Sequence, residues 1–219
     1  METLRSIFLI VSALFPIVNP LGGSPIFLTL TKDYSKRDRK SLSWRITVNS
    51  FFLLVGSYLI GTHILAFFGI SLPVVQVGGG LVVISSGWAL LGRRDDDERS
   101  EMHRRVAAGD PFRQAFYPLT LPLTVGPGSI SVAITLGANV PHTSTFDVVA
   151  IVAAVAGAAI IALSIFVCYG FADRFARLLG ATGMSVLMRL SSFLLVCIGV
   201  QIVWNGLSAL LATVFSSRH

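Results

Sequence analysis

Apolar residues in this chain come in long unbroken runs rather than in the alternating or 3.6-residue patterns of soluble elements. No Asp, Glu, Lys or Arg falls in Ile46–Gly92, Gln114–Phe146, Val148–Ala172 or Leu190–Ser217, and Leu4–Leu30 is charged only at Arg5. About 20 apolar residues in a helix cover the ~30 Å of bilayer hydrocarbon, and the 46–92 run is long enough for two crossings. The pattern predicts six transmembrane helices, over Leu4–Leu30, Leu42–Phe68, Leu72–Leu91, Phe116–Leu136, Val148–Phe171 and Val186–Phe215. The last run is longer than a crossing needs, which predicts tilt or an interfacial lead-in. The N-terminal run is too long, and too interrupted by proline, for a signal peptide, so it reads as the first span.

Composition agrees. Of 219 residues, 53% are hydrophobic and 13% charged, where soluble domains carry about a quarter charged residues. Fifteen of the 17 Lys and Arg residues fall in the first, third and fifth loops; the termini hold only Arg5 and Arg218. Positive loops stay cytoplasmic, so both termini are expected on the outer, periplasmic side. The net charge of +6 therefore reports orientation and not nucleic-acid binding. The acidic run Asp95–Glu98 lies among arginines and reads as a solvated linker. Cys168 and Cys197 sit inside apolar runs and read as packing residues, with no disulfide framework.

The most informative feature is a repeat. Phe15-Pro16, Pro20-Leu21 and Pro25 recur as Tyr117-Pro118, Pro122-Leu123 and Pro127, always 102 residues apart, and use six of the nine prolines. Gly79-Gly80-Leu81 and Ser191-Ser192-Phe193 form a weaker match 112 residues apart. The chain thus divides into a first three-helix repeat (1–92), a charged cytoplasmic loop (93–113) and a second repeat (114–219). Three spans per unit force the second unit to enter from the opposite side. The predicted fold is an all-α membrane protein of two inverted repeats, an arrangement common in secondary transporters.

Three prolines within ten residues cannot sit in a continuous helix, because each removes a donor and clashes with the preceding turn. The first and fourth helices are therefore expected to be broken, at Pro16, Pro20 and Pro25 and at Pro118, Pro122 and Pro127. Such backbone is tolerated at membrane depth only inside protein or along a cavity. Half-helices starting near Gly22-Gly23-Ser24 and Gly126-Pro127-Gly128-Ser129 would aim free N–H groups at an anion. Carbonyls at the preceding ends, with Asn19 and with Thr120 nearby, would accept from an ammonium. A small zwitterion suits two such poles.

These motifs have a counterpart. Residues 15–22 and 25–31, Pro118–Leu123 with Gly126–Ser131, the glycine-led third span and Arg189 resemble the conserved pattern of the MarC-related membrane protein family, over nearly the whole chain. The resemblance implies a six-helix bacterial inner-membrane protein, and transport of small neutral amino acids such as alanine and glycine, which some members are regarded as carrying. Leu121 stands where the first repeat has Asn19, so any polar contact there is one-sided.

Other chemistry is sparse. No span centre carries a charge, and His63, near the outer end of the second span, reads as an interfacial residue. Ion coupling, by proton or sodium, would have to use backbone carbonyls and hydroxyls. Asn49, Gln76, Gln201 and Asn205 read as interhelical hydrogen-bonding residues, and the stripe Ala150, Ala154, Ala158, Ala162 and the run Gly78–Gly80 as close-packing surfaces. No metal-ligand cluster, cofactor motif or catalytic signature is visible, and Ser129 has no base near it in sequence. The expectation is a carrier and not an enzyme, with the bilayer and a neutral amino acid as partners; an oligomer is compatible with it. The alternatives are a passive channel and a membrane protein without a transport role.

Overall fold

The computed structural model describes residues 2–91, 114–139 and 144–216, and every element among them is helical. The helices are α1 (Glu2–Val18), α2 (Pro20–Leu30), α3 (Lys36–Phe67), α4 (Leu72–Leu91), α5 (Ala115–Thr124, π-helical), α6 (Pro127–Ala138), α7 (Ser144–Gly170) and α8 (Ala172–Ser216). The loop 93–113 and its acidic run lie outside the described residues. Thr3–Leu30, Lys36–Phe67, Leu72–Leu91, Val148–Gly170 and Thr182–Thr213 are each long and apolar enough to cross a membrane. The pair α5 and α6, bent by 70° at its break, makes a sixth if counted as one span.

Many large apolar side chains face outward, among them Phe8, Phe52, Phe67, Trp88, Trp204 and Phe215. In water such a surface would drive aggregation; in lipid it is the solvated face. The interior holds Leu14, Phe27, Ile46, Leu54, Leu119, Ile161 and Ile165. Ala154, Ala158 and Ala162 are buried on α7. Beside them a methyl on Gly157 would run into the Ile10 side chain of α1, so the small-residue stripe does bring two helices close.

Helix ends follow local chemistry. Ser35 caps α3 by accepting the Asp38 N–H at 3.2 Å, and its hydroxyl donates to the Asp38 carboxylate at 2.6 Å. Gly180, at φ 63°, interrupts α8 and separates the lead-in bearing Asp173, Arg174 and Arg177 from the apolar span that follows. Nearby, the almost buried Arg39 of α3 donates to both carboxylate oxygens of Asp173, at 2.8 and 2.7 Å, and to the Thr31 carbonyl at 2.9 Å. That contact ties the ends of α2, α3 and α8 together.

Glycine governs the packing of α4 on α8. A methyl on Gly80 would lie 2.8 Å from the Gly199 carbonyl oxygen, and one on Gly87 would lie 2.9 Å from that of Ser192. Gly78, by contrast, faces open space, so of the run Gly78–Gly80 only its last two members pack.

Candidate functional site

The two proline clusters lie side by side, and the structure treats them differently. In the first, α1 ends at Val18 and Asn19 adopts φ 46°, ψ 57°, the left-handed region that asparagine tolerates better than most residues. The main-chain bonding continues through it: the Asn19 N–H donates to the Phe15 carbonyl and the Asn19 carbonyl accepts from Gly23, both at 2.9 Å. The Asn19 side chain accepts the Gly22 N–H at 3.1 Å. The amides of Gly22 and Gly23, expected to be free for an anion, are thus satisfied by Asn19. Pro20 can start a helix here because the first turn needs no N–H from it.

The second cluster is more open. Tyr117 and Leu121 take extended backbone within α5, with cis bonds before Pro118 and Pro122. Helix α6 begins at Pro127 after an extended Gly126, and no side chain caps it. The Ile130 N–H returns to the Gly126 carbonyl at 3.1 Å, so within this first turn the amides of Gly128 and Ser129 have no helical acceptor. The Ser129 hydroxyl donates back to the Gly126 carbonyl at 2.9 Å.

Both clusters open onto a cavity of about 320 Å³. Asn19, Gly23, Gly126, Gly128 and Ser129 line it, as do Pro122 and Pro127, whereas Gly22, Ser24 and Thr120 do not. Pro16, Pro20, Pro25 and Pro118 also lie outside its lining. Ser24 is buried, and its hydroxyl has no partner among the described residues. Thr120 donates to the Ala115 carbonyl at 2.6 Å and receives the Asn49 amide at 3.4 Å.

Two polar lining residues escape a sequence reading, Ser86 and Thr124. Each donates to its own helix, Ser86 to the Val82 carbonyl and Thr124 to the Leu119 carbonyl. Serines and threonines do this throughout membrane helices, so neither stands out in the sequence. Behind Thr124, the fully buried Tyr169 places its hydroxyl 3.1 Å from the threonine oxygen and stacks on Phe27 with ring centroids 4.6 Å apart. The Tyr169 hydroxyl fills the space a side chain at Gly23 would need.

Among the described residues, no charged side chain lines the cavity. Its electrostatic character comes from the unfilled amides and the positive end of α6, set in walls of Ile17, Val83 and Leu195. Such a site suits a ligand without net charge. Among the other polar candidates, Gln76 bonds across helices to Thr135 at 3.4 Å, as Asn49 does to Thr120. Gln201 does not: its amide donates to Asn205 one turn along the same helix, on an exposed face. His63 is exposed at its helix end. Both cysteines are free, Cys168 buried and Cys197 exposed, so only the first packs in the interior.

Comparison with known proteins shows the family. The family model described as MarC family integral membrane protein matches residues 4–211. The UPF0056 inner membrane protein MarC of Salmonella typhimurium is 31% identical over 218 residues, covering 97% of this chain and 99% of the relative. That of Escherichia coli O1:K1 gives the same identity and coverage. A UPF0056 membrane protein of Aquifex aeolicus is 32% identical over 199 residues, 91% of each chain. No solved structure matches. With its apolar helices and relatives of this kind, the chain is a multi-pass inner-membrane protein, and it belongs to the MarC family of integral membrane proteins.

Proposed function

We propose that this protein is a secondary carrier of small neutral amino acids, alanine and glycine first among them, working by alternating access. The observation that carries the reading is the uncapped start of α6 facing a cavity without a charged side chain among the described residues. The amides of Gly128 and Ser129 would bind the carboxylate there, a contribution of about 0.3–1 kcal/mol when exposed and up to ~2 when partly buried. Asn19, and carbonyls freed in α5 because Pro122 and Pro127 lack N–H groups, would take the ammonium. At ~30 Å³ per water the cavity holds about ten waters, enough for alanine with some solvent or a coupling ion, proton or sodium.

An inverted repeat underlies this reading, with its units at 1–92 and 114–219. The packing of α4 on α8 supports it. Shifting each number by 112 between the repeats turns the pair Gly80 and Gly199 into Ser192 and Gly87, a pair that also meets. Gly199 packs against Ile84, and Gly87 against Val196, the residue 112 positions after Ile84. Helices facing each other across a pseudo-two-fold axis would pack in this reciprocal way.

Uptake of labelled alanine and glycine into proteoliposomes, with and without proton or sodium gradients, tests the proposal. Saturable uptake driven by one gradient is expected. Non-saturating flux would mean a channel, and no flux under any gradient would remove the amino-acid assignment and leave the substrate open. The termini are proposed to be periplasmic; a C-terminal reporter active only in the cytoplasm, if active here, overturns that orientation.

A further inference from the structure

Helix α3 begins with a stripe at helical spacing: Arg37, Lys40, Ser41, Trp44 and Arg45 share one face. Trp44, 58% exposed, stands between two clefts at this end of the span. One, of about 330 Å³, lies against α7 and is bounded by Arg37, Lys40, Ser41 and Phe166. The other, of about 460 Å³, lies against α5 and is bounded by Arg45 and Phe116. Trp44 meets Phe166 edge-on at 5.7 Å.

Among the described residues, no acidic side chain lines either cleft. The Asp38 carboxylate accepts from Ser35, and Asp173 is clasped by Arg39, which is buried and faces away from the stripe's clefts. Cations over an aromatic, apolar floor at the end of a membrane span are complementary to one kind of neighbour. Its phosphate would meet Arg37 and Lys40, its glycerol region the Trp44 ring, and its acyl chains the groove running down past Phe166. We propose that this face of α3 is a binding site for an anionic phospholipid headgroup.

The test uses full-length protein carrying Trp88→Phe and Trp204→Phe, so that Trp44 is the only one of the three tryptophans left. Quenching of Trp44 is followed as brominated phosphatidylglycerol or brominated phosphatidylcholine is titrated in. Phosphatidylglycerol should quench at much lower mole fraction. Arg37→Gln with Lys40→Gln should weaken its binding about 25-fold, from about fivefold per cation near a headgroup, and leave phosphatidylcholine unaffected. Equal quenching by the two lipids, or no change in the double variant, overturns the site. Displacement of the brominated lipid by millimolar inorganic phosphate would identify a free-anion site instead and overturn the lipid assignment.

Discussion

Gly80 and Gly199 exclude side chains from each other: a methyl on either would lie within 2.9 Å of the other's carbonyl oxygen. Helices α4 and α8 consequently meet backbone to backbone, the geometry that small residues permit within a bilayer. Gly80→Ala or Gly199→Ala should destabilise the fold by about 1–3 kcal/mol through overpacking. Gly78→Ala, which faces open space, should be neutral or stabilising by about 0.5–1 kcal/mol. Thermal unfolding in detergent separates the three; equal behaviour would refute the close approach.

At the cavity, Gly128 is the position least able to accept a side chain, because its methyl would collide with Val83 of α4. Gly128→Val should abolish alanine uptake, and wild-type flux from it would remove α6 from the site. Gly126 has more room. Its φ of −88° suits any residue, and a methyl there would sit 3.0 Å from the Pro122 carbonyl oxygen. Gly126→Ala should therefore still insert, and its uptake rate should fall less than that of Gly128→Val.

Asn19 combines a left-handed backbone with a side-chain cap. Asn19→Gly keeps the backbone at little strain and removes only the cap, a cost of about a few tenths of a kcal/mol. Asn19→Ala loses the cap and adds left-handed strain of roughly 1–2 kcal/mol. Melting temperatures should fall in the order wild type, glycine, alanine. An alanine variant as stable as the glycine variant would show that the left-handed turn is not held in solution.

The Arg39–Asp173 contact predicts an asymmetry. Asp173→Asn leaves the arginine its bond to the Thr31 carbonyl, and Asp173 is itself a third exposed, so about 1–3 kcal/mol should be lost. Arg39→Gln gives up that bond as well, and should cost more. Chemical denaturation of the two single variants and the double variant measures the pairing; strict additivity would mean the contact contributes nothing.

Most of the helical plan could be read directly from charge, because hydrocarbon forbids what a soluble core tolerates. The span Val148–Gly170 appears almost residue for residue as a charge-free run, whereas Leu72–Leu91 shares the run Ile46–Gly92 with the span before it. Gly180 was harder to see. A lone glycine in an apolar stretch is usually a packing residue, and only its positive φ reveals the interruption. The two proline clusters read from the sequence do border one cavity, but the prolines do not reveal how their residues divide the hydrogen bonding there. Asn19 beside Pro20 reads as a polar lining group, yet much of its hydrogen-bonding goes to its own chain. Tyr169 was invisible for another reason. It lies in a different span from both clusters, and nothing local to its sequence says that Phe27 and Thr124 converge on it.

The fastenings between α4 and α6 lie at one end of α4. The Ser131 hydroxyl donates to the Val75 carbonyl at 2.9 Å and Gln76 reaches Thr135 at 3.4 Å. The cavity borders the same helix further on, between Val82 and Leu90, where among these two helices no hydrogen bond crosses the seam. Between these two helices the hydrogen bonding is therefore confined to the region near Gln76. At 1.5 Å per residue, Ser86 lies about 15 Å along the seam from there, so a tilt of roughly 5° at the pinned end parts the cavity wall by about 1.3 Å. In the proposed carrier, a swing that small would leave both fastenings in place while widening the cavity beside Ser86.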